Sequence, residues 1–165
     1  MQQQRYWNYF AQNYAHTRYL HYYREKSEEI ERVIAVCSAI TSSASIAGWA
    51  IWQKYGWFWA VIIAASQVLS ATRSHLPYAR RAEILRETAS AFKALTLRIE
   101  GNWFRIQQGM LSEEEINDLI TLFHKEQFDI EDKLFSKITL ATRPDLLALA
   151  ETDTQQYFAT YYGQQ

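Results

Sequence analysis

Two groups of polar side chains in this sequence have types and spacings suited to chemistry inside an apolar environment. The first has the i, i+3, i+4, i+7 spacing that forms one hydroxyl stripe along a helix: Ser38, Thr41, Ser42 and Ser45. The second has two serines four residues apart with an amide between them: Ser66, Gln67 and Ser70. Small polar faces of this kind let helices pack closely, with hydroxyl groups bonding across the interface. They could also line a pore built from several copies, and one face can serve both purposes.

A third group combines basic and aromatic side chains along one predicted helix. Its members are Arg80, Arg81, Arg86, Lys93, Arg98, Trp103, Phe104 and Arg105. Cationic groups bind phosphates and aromatic rings stack on bases, so this combination suits an anionic, stackable ligand such as a nucleotide. Arg80 and Arg81 equally suit anionic lipid headgroups if a membrane lies nearby. The remaining interpretation is a solvated helix face with basic residues next to a membrane.

The usual catalytic and metal-binding patterns are missing from the sequence. Its five glycines are too dispersed for a phosphate-binding loop, and no two of its four histidines are three or four residues apart. His124 has acidic neighbours, but charges on an amphipathic helix usually form its solvated face. Cys37 is a lone cysteine, which excludes a disulfide framework. We therefore expect no enzyme activity, no cofactor and no metal, and the net charge of -1 gives no sign of a nucleic-acid partner.

The hydroxyl groups lie in a stretch of forty residues, 33–72, whose single formal charge is Lys54. Residues 33–52 would span about 30 Å as a helix, enough to cross the hydrocarbon core of a bilayer, and a second apolar run follows a polar break at 53–56. Aromatic residues surround that break, as they do at membrane interfaces: Trp49, Trp52, Tyr55, Trp57, Phe58 and Trp59. We predict a two-helix transmembrane hairpin. The alternative is a buried helical hairpin inside a soluble bundle.

Basic residues flank this stretch on both sides, which predicts its orientation. Three precede it and three follow it: Arg24, Lys26 and Arg32, then Arg73, Arg80 and Arg81. Because positive residues concentrate on the cytoplasmic side, both termini should be cytoplasmic. The chain would then have three parts, namely an N-terminal amphipathic helical segment (1–32), the hairpin (33–72) and a cytoplasmic helical domain (73–165).

The segments outside the hairpin are predicted to be amphipathic helices. In residues 1–32, Trp7, Phe10, Tyr14 and His21 follow helical spacing with Thr17 filling the gap, and packing on the C-terminal domain is favoured over the lipid headgroups. A long helix is indicated by positions that alternate spacings of four and three: Tyr78, Ala82, Leu85, Ala89, Phe92, Thr96, Ile99, Trp103 and Ile106. The fold class is therefore all-α.

Two further helices follow the long one. Gly109 should end the long helix, and Ser112 with Glu115 forms a capping box. The apolar positions after this box are Ile116, Leu119, Ile120 and Phe123, continued loosely by Phe128, Ile130 and Leu134. Pro144 marks the last break, and a final helix should end at Gly163. Its apolar positions are Leu146, Leu147, Ala150, Tyr157 and Tyr161.

This arrangement of an N-terminal helix, a tight hairpin at 33–72, a heptad helix at 78–106 and further cytoplasmic helices resembles the SLATT family. These are two-transmembrane effectors of bacterial antiphage conflict systems, including CBASS-like systems that use nucleotide signals. The resemblance implies a homo-oligomer in the bacterial inner membrane that permeabilises it, with a cyclic nucleotide or a nucleotide-sensing protein as a partner. The alternatives are a membrane-anchored helical adaptor that recruits a cytosolic partner without forming a pore, and a soluble bundle.

Overall fold

The computed structural model describes residues 1–51, 57, 61, 64 and 78–163, with side chains for residues 1–36, 39, 57, 61, 64 and 81–163. Four helices account for most of these residues: α1 (Gln2–Ile51), α2 (Tyr78–Gln107), α3 (Glu113–Phe135) and α4 (Pro144–Tyr162). The described residues contain no strand. The prediction of an all-α fold is therefore confirmed.

The chain divides into two compact units. The first, called the bundle unit, comprises Met1–Glu25 and Glu83–Gln165, and the second, called the apolar unit, comprises Lys26–Ala82. Helices α1 and α2 each contribute residues to both units. The N-terminal segment thus belongs with the C-terminal helices, which agrees with the packing favoured by its sequence.

In the bundle unit, the N-terminal half of α1 contacts each of the other three helices. It runs antiparallel to α2 and α4 and parallel to α3. The pairs that give these directions are Tyr6–Ile99 and His16–Phe92 for α2, Gln2–Glu113 and Tyr9–Gln127 for α3, and Trp7–Tyr162 and Arg18–Asp153 for α4. Short connections between α2, α3 and α4 suit this antiparallel succession.

The larger hydrophobic cluster of the bundle unit is built around aromatic rings. Its buried members are Tyr6, Tyr9, Phe10, Leu95, Ile99, Trp103, Ile106, Ile116, Ile120 and Phe123. The ring of Trp7 packs against this cluster, with its centroid 4.7 Å from that of Trp103 and 4.9 Å from that of Phe158. Aromatic pairs at such distances add about 0.5–1.5 kcal/mol each beyond burial. The tyrosine-rich N-terminus is therefore part of the core.

Helix α2 buries the face that its spacing predicted. Each described position of that pattern is buried: Ala82, Leu85, Ala89, Phe92, Thr96, Ile99, Trp103 and Ile106. Leu95 widens the buried face, as expected from the sequence. Part of this face forms a second cluster in the bundle unit, in which Leu85 and Phe92 pack with Leu20 of α1 and Leu134 of α3.

The predicted helix ends are also confirmed. Gly109 follows α2 with a φ of 70°, a conformation that glycine adopts without the steric cost of a Cβ atom. The Ser112 hydroxyl accepts from the Glu115 backbone N–H, while the Glu115 carboxylate accepts from the Ser112 N–H, which completes the capping box of α3. Helix α4 begins at Pro144 and ends just before Gly163.

Three apolar positions assigned to buried faces are instead exposed. Phe128 is 66% exposed because the core face of α3 continues from Phe123 through Gln127 and Ile130, which leaves the Phe128 side chain on another side of the helix. On α4, Leu147 and Tyr161 are exposed. The core receives other α4 rings instead, chiefly Phe158 and Tyr162.

The apolar unit contains the residues predicted to form the membrane hairpin. Within the part of the chain that the structure describes, no helix meets the length and hydropathy needed to span a bilayer. Helix α1 covers residues 33–51 of the first predicted run. The polar break and the second run lie outside the described residues apart from Trp57, Val61 and Ala64, which are helical and exposed. The hairpin therefore stays a prediction.

Candidate functional site

The hydroxyl groups predicted to face a pore or a helix interface fall in two places. The first set lies on helix α1, where the side chains are outside the described residues: Ser38, Thr41, Ser42 and Ser45. The second set lies wholly outside the described residues: Ser66, Gln67 and Ser70. Their role in packing or pore formation stays a prediction.

The basic and aromatic residues of α2 do not form one binding surface. Trp103 is 9% exposed, and its ring packs against Tyr6 and Trp7 at centroid distances of 6.3 and 4.7 Å. This indole is therefore a core group whose faces are already covered. Phe104, the next residue, is exposed.

Arg98 connects α2 to α3. Its guanidinium group donates to both oxygens of Glu126, at 2.7 and 3.0 Å, and its Cζ atom lies 5.4 Å from the centre of the Phe123 ring. Bidentate pairs of this kind are among the better-ordered surface ion pairs. The arrangement gives Arg98 a structural role between two helices of the bundle unit.

The remaining basic residues of the predicted set are distributed along α2. Arg80 begins the helix with its side chain outside the described residues, and Arg81 is half-buried. Arg86 and Arg105 are exposed, and Arg105 lies in the last turn of the helix. Lys93 is different, because it lines a groove together with basic residues of α1.

This groove, called the α1–α2 groove, lies in the bundle unit and has a volume of about 440 Å³. Helix α1 lines it with Arg18, His21 and Arg24, helix α2 with Lys93, and helix α4 with Tyr157 at one end. Its volume falls within the range of about 300–1,000 Å³ typical of small-molecule sites. The groove is therefore the candidate functional site of the described chain.

Hydroxyl groups between the two helices fix the geometry of the groove. The Thr96 Oγ1 atom lies 2.7 Å from Thr17 Oγ1 and 2.7 Å from Asn13 Oδ1, and 2.9 Å from the Phe92 carbonyl. Because a hydroxyl carries one proton, Thr96 can donate to only one of its three neighbours at a time, and either hydroxyl can be the donor between Thr17 and Thr96. Asn13 and Thr96 are buried and Thr17 is half-buried at the groove, so this network holds α1 against α2 largely shielded from water.

Arg18 is held on one side of the groove by an acid from α4. Its Nε atom donates to Asp153 Oδ2 at 2.9 Å, and its Nη2 atom donates to the same carboxylate and to the Tyr22 hydroxyl. Tyr22 also donates to Asp153. The hydrogen bonds from Tyr22 and Arg18 lower the pKa of Asp153 below its usual value. Asp153 therefore stays ionised and orients Arg18.

The opposite end of the groove is aromatic and contains one carboxylate. Tyr157 and Tyr162 both donate to Glu100 Oε1, the second at 3.0 Å. Burial, reinforced by the Glu100 charge, raises the pKa of both tyrosines well above the usual value. The rings of Tyr14 and Tyr157 stack at 4.3 Å. The groove thus has a basic end and an aromatic end.

His21 reports the electrostatic environment at the basic end. Its Nε2 atom lies 3.2 Å from Glu25 Oε1. Burial lowers the pKa of His21 below the usual value, and the charges of Arg18, Arg24 and Lys93 lower it further, while Glu25 opposes the shift. His21 therefore lies near one carboxylate and three cationic side chains.

Among the described residues, no set of three His, Cys, Asp or Glu side chains is arranged to hold a metal ion. The acidic neighbourhood of His124 resolves into separate contacts: Glu126 pairs with Arg98, and the His124 ring packs 4.4 Å from that of Tyr9. Glu131 lies 3.9 Å from His16 on α1. Glu126 and Glu131 are half-buried and contact other helices, so they do not belong to a fully solvated face.

Sequence reasoning found Lys93 but missed Arg18, His21 and Arg24 as its neighbours. The signal was present, because three basic residues at spacings of three lie on one side of a helix. What the sequence could not show was that this side of α1 meets Lys93 on α2, since that depends on the register of two helices far apart in the chain.

Comparisons with protein-family models, with curated proteins and with solved structures give no match for this chain.

Proposed function

We propose that this protein is a membrane-embedded effector of a bacterial antiphage defence system. In this proposal it oligomerises in the inner membrane and permeabilises it in response to a nucleotide signal or to the loss of one. Residues 33–72 form the transmembrane hairpin, both termini lie in the cytoplasm, and the bundle unit controls the hairpin. The resemblance of the helix order to that of the SLATT family, stated above from the sequence, supports this proposal.

The observation that carries the proposal is the exposure of apolar side chains in the apolar unit. Val33, Val36, Trp57 and Val61 are 57%, 51%, 72% and 59% exposed. In this proposal, these exposed apolar side chains contact lipid or another protein. Lipid chains would cover these side chains in a monomer, and further copies would cover part of them in an oligomer.

Helix α1 supplies a physical connection between the two units. The same helix, Gln2–Ile51, carries core residues such as Phe10 and Leu20 in the bundle unit and most of the first apolar run in the apolar unit. A ligand or partner that changes how the bundle holds α1 would therefore act on a helix that enters the membrane. This gives the bundle a direct means of controlling the hairpin.

The polar residues of the hairpin would form the contacts between copies. In this proposal the stripe containing Ser42 and the face containing Gln67 pack against neighbouring hairpins and line the path for ions. A polar amide in lipid needs a partner, so Gln67 gains most from another copy. Leucine at either position would remove the polar group while keeping the helix apolar enough to insert.

The test is the membrane potential of bacterial cells that express the full chain. Wild-type protein should depolarise the cells, measured with a potential-sensitive dye, and S42L and Q67L should reduce this at equal protein level in the membrane. Q155L is the matched control, since Gln155 is an exposed residue of α4 in the bundle unit. Full depolarisation by S42L and Q67L would contradict the assigned role of these side chains.

A membrane-anchored adaptor is the second candidate. It is favoured by apolar side chains exposed on the bundle unit itself, since Leu97, Phe104 and Phe128 are 59%, 64% and 66% exposed. An adaptor would leave the membrane potential unchanged and capture one cytosolic protein through exposed apolar side chains of the bundle unit. Release of the protein from membranes by carbonate would rule out both candidates in favour of a soluble bundle.

A further inference from the structure

The basic end of the α1–α2 groove brings together cations from two helices. Arg18, His21 and Arg24 come from α1 and Lys93 comes from α2. The acid among the residues that line the groove, Glu100, belongs to the aromatic end, where two tyrosine hydroxyls bind it. Two acids that do not line the groove also contact its basic end, since Asp153 accepts from Arg18 and Glu25 Oε1 lies 3.2 Å from His21 Nε2.

Arg18 and Lys93 differ in the hydrogen bonds and ion pairs that they already make within the protein. Arg18 donates to Asp153 and Tyr22, so its position is fixed by α4 and by its own helix. Lys93 is exposed and, within the described part of the chain, makes no hydrogen bond or ion pair that offsets its charge. The ammonium group of a lysine carries three donor protons, so the Lys93 side chain in this groove is suited to bind an anion.

The number of cations indicates the kind of anion. A carboxylate brings one negative charge and is satisfied by a single guanidinium, whereas a phosphate group brings about 1.5–2 charges and three acceptor oxygens. Because Asp153 already offsets the charge of Arg18, the charge of a phosphate would be met by Arg24 of α1 and Lys93 of α2. We propose that the basic end of the α1–α2 groove binds a phosphate group, held by Lys93 and Arg24 with His21 beside them.

The rest of the groove limits what the phosphate is attached to. Tyr14, Tyr157 and Leu97 offer apolar surface at the other end, so the phosphate carries an apolar or flat portion of modest size. Both a free phosphorylated compound and a lipid headgroup present this chemistry. The site lies entirely within the bundle unit, so it goes beyond the proposed membrane activity and does not depend on it.

The test measures the pKa of the His21 imidazole by NMR in the full chain held in lipid nanodiscs. Because an anion next to His21 favours its charged form, a bound phosphate raises this pKa against the present influence of Arg18, Arg24 and Lys93. Pyrophosphate is added to discs of phosphatidylcholine as the free-phosphate probe. Discs containing phosphatidic acid, without pyrophosphate, are the lipid probe.

The variants separate this site from general attraction of anions. K93A removes an exposed side chain and should weaken pyrophosphate binding about tenfold. In phosphatidic-acid discs, K93A should abolish the rise in the His21 pKa. K93R keeps the positive charge and should restore much of the binding or of the pKa rise. K125A is the matched control, because Lys125 is an exposed lysine of α3 that does not line the groove. It should leave the rise in the His21 pKa unchanged.

Each outcome decides the proposal. A rise with pyrophosphate that K93A weakens assigns the site to a free phosphate compound, and a Lys93-dependent rise in phosphatidic-acid discs assigns it to a headgroup. No rise with either probe overturns the proposal, as does a rise that K93A and K125A affect equally. None of these results involves depolarisation, so the proposed membrane activity is tested separately.

Discussion

At the scale of single residues, buried polar groups determine how α1 meets α2. Tyr6 donates to the backbone carbonyl of Ile99 at 2.8 Å, and further along the two helices Thr96 connects Asn13 and Thr17. A buried polar atom that loses its partner costs more than the net value of the bond it made. These contacts therefore favour one register of the two helices over its neighbours.

Replacing Thr96 with valine should destabilise the bundle unit by about 1–3 kcal/mol, because Asn13 Oδ1 loses a buried donor and the Thr17 hydroxyl loses a hydrogen-bond partner. The measurement is the free energy of opening of bundle amides by hydrogen exchange in the full chain. T88V is the matched control. Thr88 is also buried on α2, but its hydroxyl bonds only to the Ile84 carbonyl of its own helix.

The T88V variant should lose no more than about 0.5 kcal/mol, since threonine and valine have similar helix propensities. The difference between the two variants isolates the contacts between helices from the bond within α2. Equal losses in T96V and T88V would show that the network across α1 and α2 contributes nothing.

The sequence predicted the roles of individual side chains in the site less well than any other feature. Trp103 has the chemistry of a stacking platform, but the same residue satisfies the core spacing of α2, and its side chain is buried. Arg98 has the chemistry of an anion-binding group, but Glu126 on α3 already occupies it. The type of a residue shows what it can bind, whereas its partner depends on a second helix.

At the scale of elements, helix ends are encoded by local sequence and were correctly predicted. The α3 capping box depends on residues three positions apart, with the Glu115 N–H bonded to Ser112 Oγ at 3.2 Å and the Ser112 N–H bonded to Glu115 Oε2 at 2.8 Å. No distant contact is needed to form it. The same holds for Gly109 after α2 and Pro144 at the start of α4.

Replacing Ser112 with alanine should destabilise α3 by about 1 kcal/mol, because the backbone N–H of Glu115 loses the Ser112 hydroxyl that accepts its hydrogen bond. The measurement is the hydrogen-exchange protection of the first turns of α3 in the full chain. S136A provides the comparison at the other end of the helix, where the Ser136 hydroxyl donates to the Lys133 carbonyl. Protection that falls as much in S136A as in S112A would contradict this account of the helix start.

The faces of the elements were predicted with uneven success for a physical reason. Helix α2 has one core face, so its heptad spacing identified each buried position that the structure describes. The N-terminal half of α1 contacts three helices, and it therefore buries Tyr6, Tyr9, Asn13 and Leu20 on several sides. A prediction of one apolar face along the helix cannot include residues that are buried on several sides. The predicted face of α1 therefore contained only some of its buried residues.

At the scale of the whole molecule, the spacing of apolar residues predicted the all-α class, and packing of the N-terminal segment on the C-terminal helices was favoured over the lipid headgroups. The spacing did not predict the α1–α2 groove, because the groove requires Arg18, His21 and Arg24 to meet Lys93 across about seventy residues of sequence. The low charge of residues 33–72 predicts a membrane hairpin, and this stays a prediction; among the described side chains of the apolar unit, Val33, Val36, Trp57 and Val61 are exposed.

The central claim is that the full chain makes membranes permeable. The most direct measurement is the release of a self-quenched dye from liposomes that contain purified protein, after carbonate washing has shown that the protein is inserted. The proposal predicts release by the wild type, reduced release by S42L and Q67L, and wild-type release by Q155L. Fully inserted wild-type protein that releases no dye, with or without a nucleotide signal, would contradict it.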